Sequence, residues 1–258
     1  MPEGHTVHRN ARDLAPLVGD RLRVSSPQGR FGEEAAQVDG APLGSVEAWG
    51  KHLLLGLGDT RYVHVHLGMR GTWLPRPPGE PPIASARLRI EGAAGTWELV
   101  APSTCELLDP PAAAAVVARL GPDPLRRDAD REAALAALGR GRTAIGALLL
   151  DQSVVAGVGN VFRAEALHAV GVHPRTPGPA VERPVLDRLW DVLVAMMSRA
   201  VEDGRIVTVD APDRLAVPEA EARRVYKQVH CRDCGADVVV EQVGGRTSYA
   251  CPVEQPAP

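Results

Sequence analysis

Ile145-Gly-Ala-Leu-Leu-Leu-Asp-Gln-Ser-Val-Val-Ala-Gly-Val-Gly-Asn160-Val-Phe-Arg-Ala-Glu165 is the stretch on which the reading of the fold turns. Its apolar spacing predicts helices over 143–152 and 161–170. Gly157 and Gly159 supply the turn between them, and Asn160 stands where the second helix wants an N-cap. Such a turn turns backbone N–H groups outward at a helix N-terminus, a place suited to a phosphate oxygen. A helical hairpin with an asparagine cap serves equally well as a structural joint, so its neighbours have to decide between the two.

Toward the C-terminus the pattern stays helical over 185–203, with Leu186, Leu189, Leu193, Met197 and Ala200 at core spacing and Gly204 placed as a C-cap. The Pro- and Ala-rich stretch 210–221 reads as a surface loop. Beyond it, apolar runs 238–243 and 246–250 flank Gly244-Gly245, a hairpin signal. Toward the N-terminus a helix is expected over 131–138, and Gly121-Pro122-Asp123-Pro124 breaks the chain sharply after an alanine-rich helix over 112–120. A domain boundary belongs there. Upstream, short apolar runs at 53–57, 62–65, 88–90 and 97–100 are separated by Gly, Pro and Asp, the pattern of strands in a sandwich or barrel. Residues 75–82 read as a loop.

With 258 residues the chain can bury one large core or two smaller ones. It has no apolar run long enough to span a bilayer, and Met-Pro-Glu-Gly-His at the start is no signal peptide, so a cytoplasmic protein is expected. The net charge of −3 excludes a broadly basic nucleic-acid binder and leaves only a local basic surface for that role. Three of the four cysteines lie near the C-terminus as Cys231-x-x-Cys234 and then Cys251-Pro-Val-Glu254 after the glycine pair. In a reduced compartment that spacing predicts a zinc ribbon and not a disulfide. Glu254 occupies the position of a fourth cysteine and is expected as the fourth ligand, with His230 or water as alternatives and metal retention weaker than for four thiolates. Cys105 stands apart and reads as a buried thiol.

The N-terminus carries its own chemistry. Removal of Met1 would leave Pro2 with a secondary amine, and a free α-amine of pKa about 7.7–8.0 is partly unprotonated near neutrality. A helix beginning near Thr6 would aim its positive end at residue 2 and strengthen the nucleophile. The same dipole works against Glu3 as a general acid, so that role requires a closed, desolvated site.

Taken in order, Met-Pro-Glu-Gly, Trp49-Gly-Lys51-His-Leu-Leu, His64-Val-His-Leu-Gly-Met69-Arg-Gly, Arg119-Leu-Gly-Pro-Asp-Pro-Leu, the Leu-Asp-Gln to Gly-Val-Gly-Asn160 segment and the ribbon with Gly245-Arg246 resemble the formamidopyrimidine-DNA glycosylase/endonuclease VIII family, and most closely its actinobacterial endonuclease VIII branch. The resemblance runs from residue 2 to about 255. It implies an α+β multidomain protein: a catalytic β-sandwich flanked by helices over 1–120, a helix-two-turns-helix domain over 121–222 and a zinc-ribbon hairpin over 223–258. It implies a monomeric DNA glycosylase and abasic-site lyase of base-excision repair that acts on damaged double-stranded DNA and carries structural zinc. Pro2 matches the nucleophile that forms a Schiff base at C1′, and Glu3 the acid that protonates the sugar. Lys51 matches the lysine of β-elimination. Arg246 matches the ribbon arginine that grips the flanking phosphate and is linked to δ-elimination. Asn160 and Arg119 match further phosphate contacts, and Met69 a residue that fills the gap left by the flipped nucleotide.

The chain departs from the 8-oxoguanine branch in lacking an Arg-Arg-Phe-Gly wedge, where Ala101-Pro-Ser-Thr-Cys-Glu106 stands, and in its 210–221 loop. It also lacks the Gln-Leu-Tyr wedge of the enterobacterial type, having Gly68-Met69-Arg70. These departures predict a preference for oxidised pyrimidines and abasic sites. Two competing readings are a non-catalytic binder of damaged DNA that keeps the fold, and a zinc-ribbon transcription or ribosome-associated module. The second leaves the N-terminal signature unexplained.

Overall fold

The short apolar runs upstream of residue 108 form two four-stranded antiparallel sheets in a computed structural model that describes residues 2–258. Contacts divide the chain into two units, Met1–Arg119 and Leu120–Pro258. The strands of the first unit are β1 (Arg23–Ser25), β2 (Leu43–Trp49), β3 (His52–Leu57), β4 (Arg61–His66), β5 (Thr72–Arg76), β6 (Ala86–Gly92), β7 (Gly95–Val100) and β8 (Thr104–Leu108). One sheet has the order β1-β6-β7-β5 and the other β2-β3-β4-β8. Leu53, Leu55, Leu57, Val63 and Val65 of the second sheet share one core with Val24, Trp73, Leu88, Ile90 and Leu99 of the first. The sheets therefore form a sandwich. Each such buried aliphatic side chain contributes about 1.5–3 kcal/mol.

Helices close the sandwich. The first, α1 (Gly4–Leu14), buries Val7 and Leu14 in the core, and α2 (Gly32–Val38) adds Ala35 and Val38. The alanine-rich α3 (Pro110–Val117) starts on Asp109, whose side chain accepts from the Ala112 N–H at 2.9 Å. Cys105 is half-buried on β8, and burial pushes its thiol up to about 12, which makes it inert as a nucleophile.

The second unit is helical, as its apolar spacing predicts. It contains α4 (Arg131–Leu138), α5 (Ile145–Leu148), α6 (Asn160–Ala169) and α7 (Arg183–Asp203). Leu186, Leu189, Leu193, Met197 and Ala200 of α7 are buried, and Gly204 ends the helix in the left-handed region at φ 71°. The 143–152 helix is much shorter than expected, because side chains compete for its backbone. Gln152 donates to the carbonyls of Leu150 and Val158 and accepts from the Gly157 N–H, while Asp151 Oδ1 accepts from the N–H and hydroxyl of Ser153. The result is a helix, two turns and a helix. A two-stranded sheet of β9 (Val239–Val243) and β10 (Arg246–Ala250) follows, its register set by Gly244-Gly245. Both glycines have positive φ, at 63° and 71°, as a type I′ turn requires. Among the described residues no helix is long and apolar enough to cross a membrane.

Candidate functional site

In the first unit the start of α1 places residues 2 and 3. Glu3 is the extended N-cap residue, φ −123° and ψ −171°, and its carbonyl accepts from the Thr6 N–H at 3.0 Å. Its side chain is 1% exposed, the closed environment that an acid role for it requires, while Pro2 is half-buried. Met1 and its removal lie outside the described residues. Lys51 sits at the tip of the β2–β3 hairpin, whose register pairs Trp49 with His52 and leaves Gly50-Lys51 as a two-residue turn. Gly50, at φ 57°, takes the first central position, where a II′ turn needs glycine. Met69 lies in the turn after β4 and is 73% exposed, so it is not a core methionine.

Beside Lys51 runs a chain of imidazoles. His52 and His66 are register partners on β3 and β4, and His64 shares their face of the sheet. His52 Nδ1 lies 2.8 Å from His64 Nε2, and His64 Nδ1 lies 2.8 Å from Glu106 Oε1 on β8. The carboxylate can only accept, which assigns the proton of His64 to Nδ1 and makes its Nε2 the acceptor for His52 Nδ1–H. Burial, then the charges of His64, His66 and Lys51, lowers His52 to about 4. His66 is lowered as well, first by burial and then by Lys51 and His64. At neutral pH the lowered His52 and His66 are uncharged imidazoles beside Lys51, able to accept a proton.

In the second unit the Asn160 expectation needs correction. The extended cap of α6 is Gly159, and Asn160 is the first helical residue. Its side chain turns to the hairpin instead, donating from Nδ2 to the Thr247 carbonyl at 2.9 Å. Arg163, one turn on and 0% exposed, completes the arrangement. Its guanidinium donates to Asn160 Oδ1 at 2.5 Å, to the Thr247 carbonyl at 2.7 Å and to the Val243 carbonyl at 3.0 Å. Val243 and Thr247 bracket Gly244-Gly245-Arg246, so a buried cation clamps the turn from behind. Arg246 itself is exposed. Gly244 rests on α5 so closely that a Cβ would meet that of Ala147 at 2.8 Å. Arg119 is exposed at the end of the first unit.

The cysteines come together as expected. Sγ atoms of Cys231, Cys234 and Cys251 all lie within 4.8 Å of one another, with Cys231 and Cys251 buried. Three thiols in such a cluster are a soft donor set that fits zinc. Glu254 is exposed and its carboxylate does not join the group; the residue contributes its backbone N–H to Cys251 Sγ at 3.4 Å. His230 also stays away, paired with Asp237 at 2.8 Å.

Comparison with known proteins agrees with this geometry along the chain. The Formamidopyrimidine-DNA glycosylase N-terminal domain profile matches residues 1–101, and the Formamidopyrimidine-DNA glycosylase H2TH domain profile matches 120–211. Endonuclease 8 1 of Mycobacterium tuberculosis is 40% identical across 99% of this chain and 100% of its own length. The chain belongs to the formamidopyrimidine-DNA glycosylase/endonuclease VIII family. The formamidopyrimidine-DNA glycosylase of Corynebacterium jeikeium is 30% identical over 97% of both chains. Among solved structures, Lactococcus lactis Fpg in complex with N7-benzyl-Fapy-dG-containing DNA superposes with a TM-score of 0.82 at 24% identity, covering 99% of this chain and 100% of that one, a likeness of fold.

Within the formamidopyrimidine-DNA glycosylase/endonuclease VIII fold, four residues were missed by sequence reasoning: His52, His64 and Glu106 beside Lys51 in the first unit, and the clamp residue Arg163 behind the Arg246 turn in the second. The histidines had a signal, since a histidine at a strand start facing a His-x-His strand across a tight turn must share a face. Arg163 had a weaker one: an arginine inside an otherwise apolar helix.

Proposed function

We propose that the chain is a bifunctional DNA glycosylase and abasic-site lyase of base-excision repair, acting as a monomer in the cytoplasm on damaged double-stranded DNA. The observation that carries the reading is the pair Pro2 and buried Glu3 at the start of α1, in a chain 40% identical throughout to an endonuclease 8. The Pro2 nitrogen attacks C1′ of the flipped nucleotide, the C1′–N bond to the damaged base breaks with its pair going to the base, and the base takes up the proton that the Pro2 nitrogen releases. Glu3 protonates the sugar ring oxygen, so the ring opens and an iminium forms between Pro2 and C1′. Lys51 takes part in proton transfer during β-elimination of the 3′ phosphate, and Arg246 holds the flanking phosphate for δ-elimination. Asn160 and Arg119 serve as further phosphate contacts, and exposed Met69 fills the vacated stack. Cys231, Cys234 and Cys251 hold a structural zinc that steadies the hairpin carrying Arg246.

Borohydride trapping on abasic DNA tests the chemistry. The wild type is expected to form a covalent adduct through Pro2, Pro2→Gly to weaken lyase activity, and Glu3→Gln to lose base excision. Efficient trapping by protein shown to retain Met1 would sink the assignment, because Pro2 would then be an amide. Binding of damaged DNA with no trapping at all would favour a non-catalytic binder.

The absent wedge and the divergent 210–221 loop support oxidised pyrimidines and abasic sites as preferred targets over 8-oxoguanine opposite cytosine. Single-turnover rates on matched duplexes decide it, and faster excision of 8-oxoguanine than of thymine glycol or 5-hydroxyuracil would overturn it.

A further inference from the structure

The cysteine cluster has three donors and needs a fourth. We propose that His168, and not Glu254, completes it, giving a Cys3His zinc site in which Asp233 orients the imidazole. The inference rests on the reading of Cys231, Cys234 and Cys251 as zinc ligands and adds the residue that closes the tetrahedron.

Helix α6 delivers His168 to the ribbon. Val161 through His168 are buried without interruption, and Ala164, one turn before His168, packs in the same small cluster as Cys231 and Cys251. His168 is 6% exposed, and its Nε2 lies 3.4 Å from Cys231 Sγ. With Zn–S near 2.3 Å and Zn–N near 2.0–2.1 Å, neighbouring donors in a tetrahedron stand about 3.5 Å apart. That is the spacing of a nitrogen and a sulfur sharing one ion. Nε2 stands beside Cys231 alone and outside the 4.8 Å thiol group, so the ring must move toward Cys234 and Cys251 as the ion binds.

The second observation is the other nitrogen. Nδ1 of His168 is buried and has no hydrogen-bond partner, while Asp233 Oδ2 stands 3.8 Å from it. A buried polar atom left unpaired is destabilising. In metal sites a ligating histidine directs its second N–H to a carboxylate, which fixes the tautomer and makes the ligating nitrogen more basic. Asp233 is held for that task by Arg224, which also pairs with Asp210 at 2.7 Å. The other candidates are turned away: the Glu254 carboxylate is exposed, and the His230 side chain is 63% exposed and engaged with Asp237.

The test uses full-length protein purified without chelator. One zinc per chain is expected. Zinc-free protein that also fails to take up added zinc would remove the ribbon reading and this one together. X-ray absorption at the zinc edge then counts donors in the wild type. Three sulfurs near 2.3 Å and one nitrogen near 2.0–2.1 Å, with the outer-shell scattering of an imidazole, are expected. Bound zinc with oxygen as the fourth donor and no imidazole signal would overturn His168 while leaving the zinc ribbon intact. Because that spectrum is taken on unaltered protein, it stands even where a variant folds poorly. His168→Gln should abolish the imidazole signal and weaken zinc binding by at least about 100-fold, Asp233→Asn should weaken it about 10-fold, and Glu254→Gln and His230→Gln should leave both signal and affinity unchanged. Loss of the imidazole signal in His230→Gln, or loss of metal in Glu254→Gln with retention in His168→Gln, would refute the assignment.

Discussion

Two hairpins in this chain present a cation on a glycine turn, and they are held in different ways. The β2–β3 hairpin with Gly50-Lys51 belongs to a four-stranded sheet, and Leu53, Leu55 and Leu57 tie it into the sandwich core. The β9–β10 hairpin with Gly244-Gly245-Arg246 is a sheet of two strands, and Val239 and Val240 are exposed. A lone two-stranded hairpin is marginal in water. Its support comes at separate points: Arg163 behind the turn, Ala147 beneath Gly244 and the cysteine cluster at the far end. A loop inside a sheet inherits rigidity from the core, whereas a hairpin outside one must be fastened at points.

The largest expected break in this comparison comes from metal removal. Structural zinc is worth on the order of 10 kcal/mol in small zinc domains, so chelation should speed amide exchange throughout 239–250 and leave 49–57 protected. Equal protection of both hairpins before and after chelation would refute the contrast. Arg163→Ala comes next. It strips the carbonyls of Val243 and Thr247 and the oxygen of Asn160 of a buried donor, and should destabilise the second unit by about 3–5 kcal/mol in denaturant titrations. Lys51→Ala, in a hairpin that Leu53, Leu55 and Leu57 tie into the sandwich core, should cost less than Arg163→Ala in the same titrations.

A smaller effect separates the two glycines of the second turn. Both have positive φ, so alanine at either costs about 1–2 kcal/mol, but only at position 244 does the new Cβ meet Ala147. Gly244→Ala should therefore lose about 1–3 kcal/mol more than Gly245→Ala, measured by thermal unfolding. A further effect belongs to the first hairpin and is a titration. His52 is depressed to about 4, so between that pH and about 6.5 the unfolded chain binds more protons than the folded one. Stability from this residue is complete above 6.5 and lost as pH falls through 4. Its size is on the order of 2 kcal/mol after allowance for partial exposure. A proton NMR titration should place the His52 midpoint near 4, and the pH slope of stability should flatten in His52→Gln.

Strands, α7 with its Gly204 cap and the Gly-Gly hairpin were legible because local pattern and tertiary burial agree there. The failures concentrate between 143 and 168. The 143–152 helix stops early because Asp151 and Gln152 offer side-chain bonds that compete with the helix ladder, and periodicity does not register that competition. Asn160 looked like a cap by residue type, yet its amide is used by Thr247, 87 positions away. Arg163, Glu165 and His168 were passed over for a common reason. On a helix buried on all sides, polar residues cannot be told from an exposed face by spacing alone, and their partners come from distant sequence. In the first unit the presence of Pro2, Glu3 and Lys51 was legible and the Glu106–His64–His52 chain was not, since it needs strand register.

Glu165 has a consequence for how the ribbon is attached. Its buried carboxylate accepts from the backbone N–H groups of Arg224, Val225 and Tyr226 at 2.8, 3.0 and 2.7 Å and from the Thr208 hydroxyl. The polypeptide is thus nailed down a second time just after the exposed 211–220 loop. Covalent continuity through that loop becomes dispensable once folding is complete: a protease cut there should yield two fragments that migrate together until denatured, and new termini or an inserted domain could be placed there with the ribbon still seated.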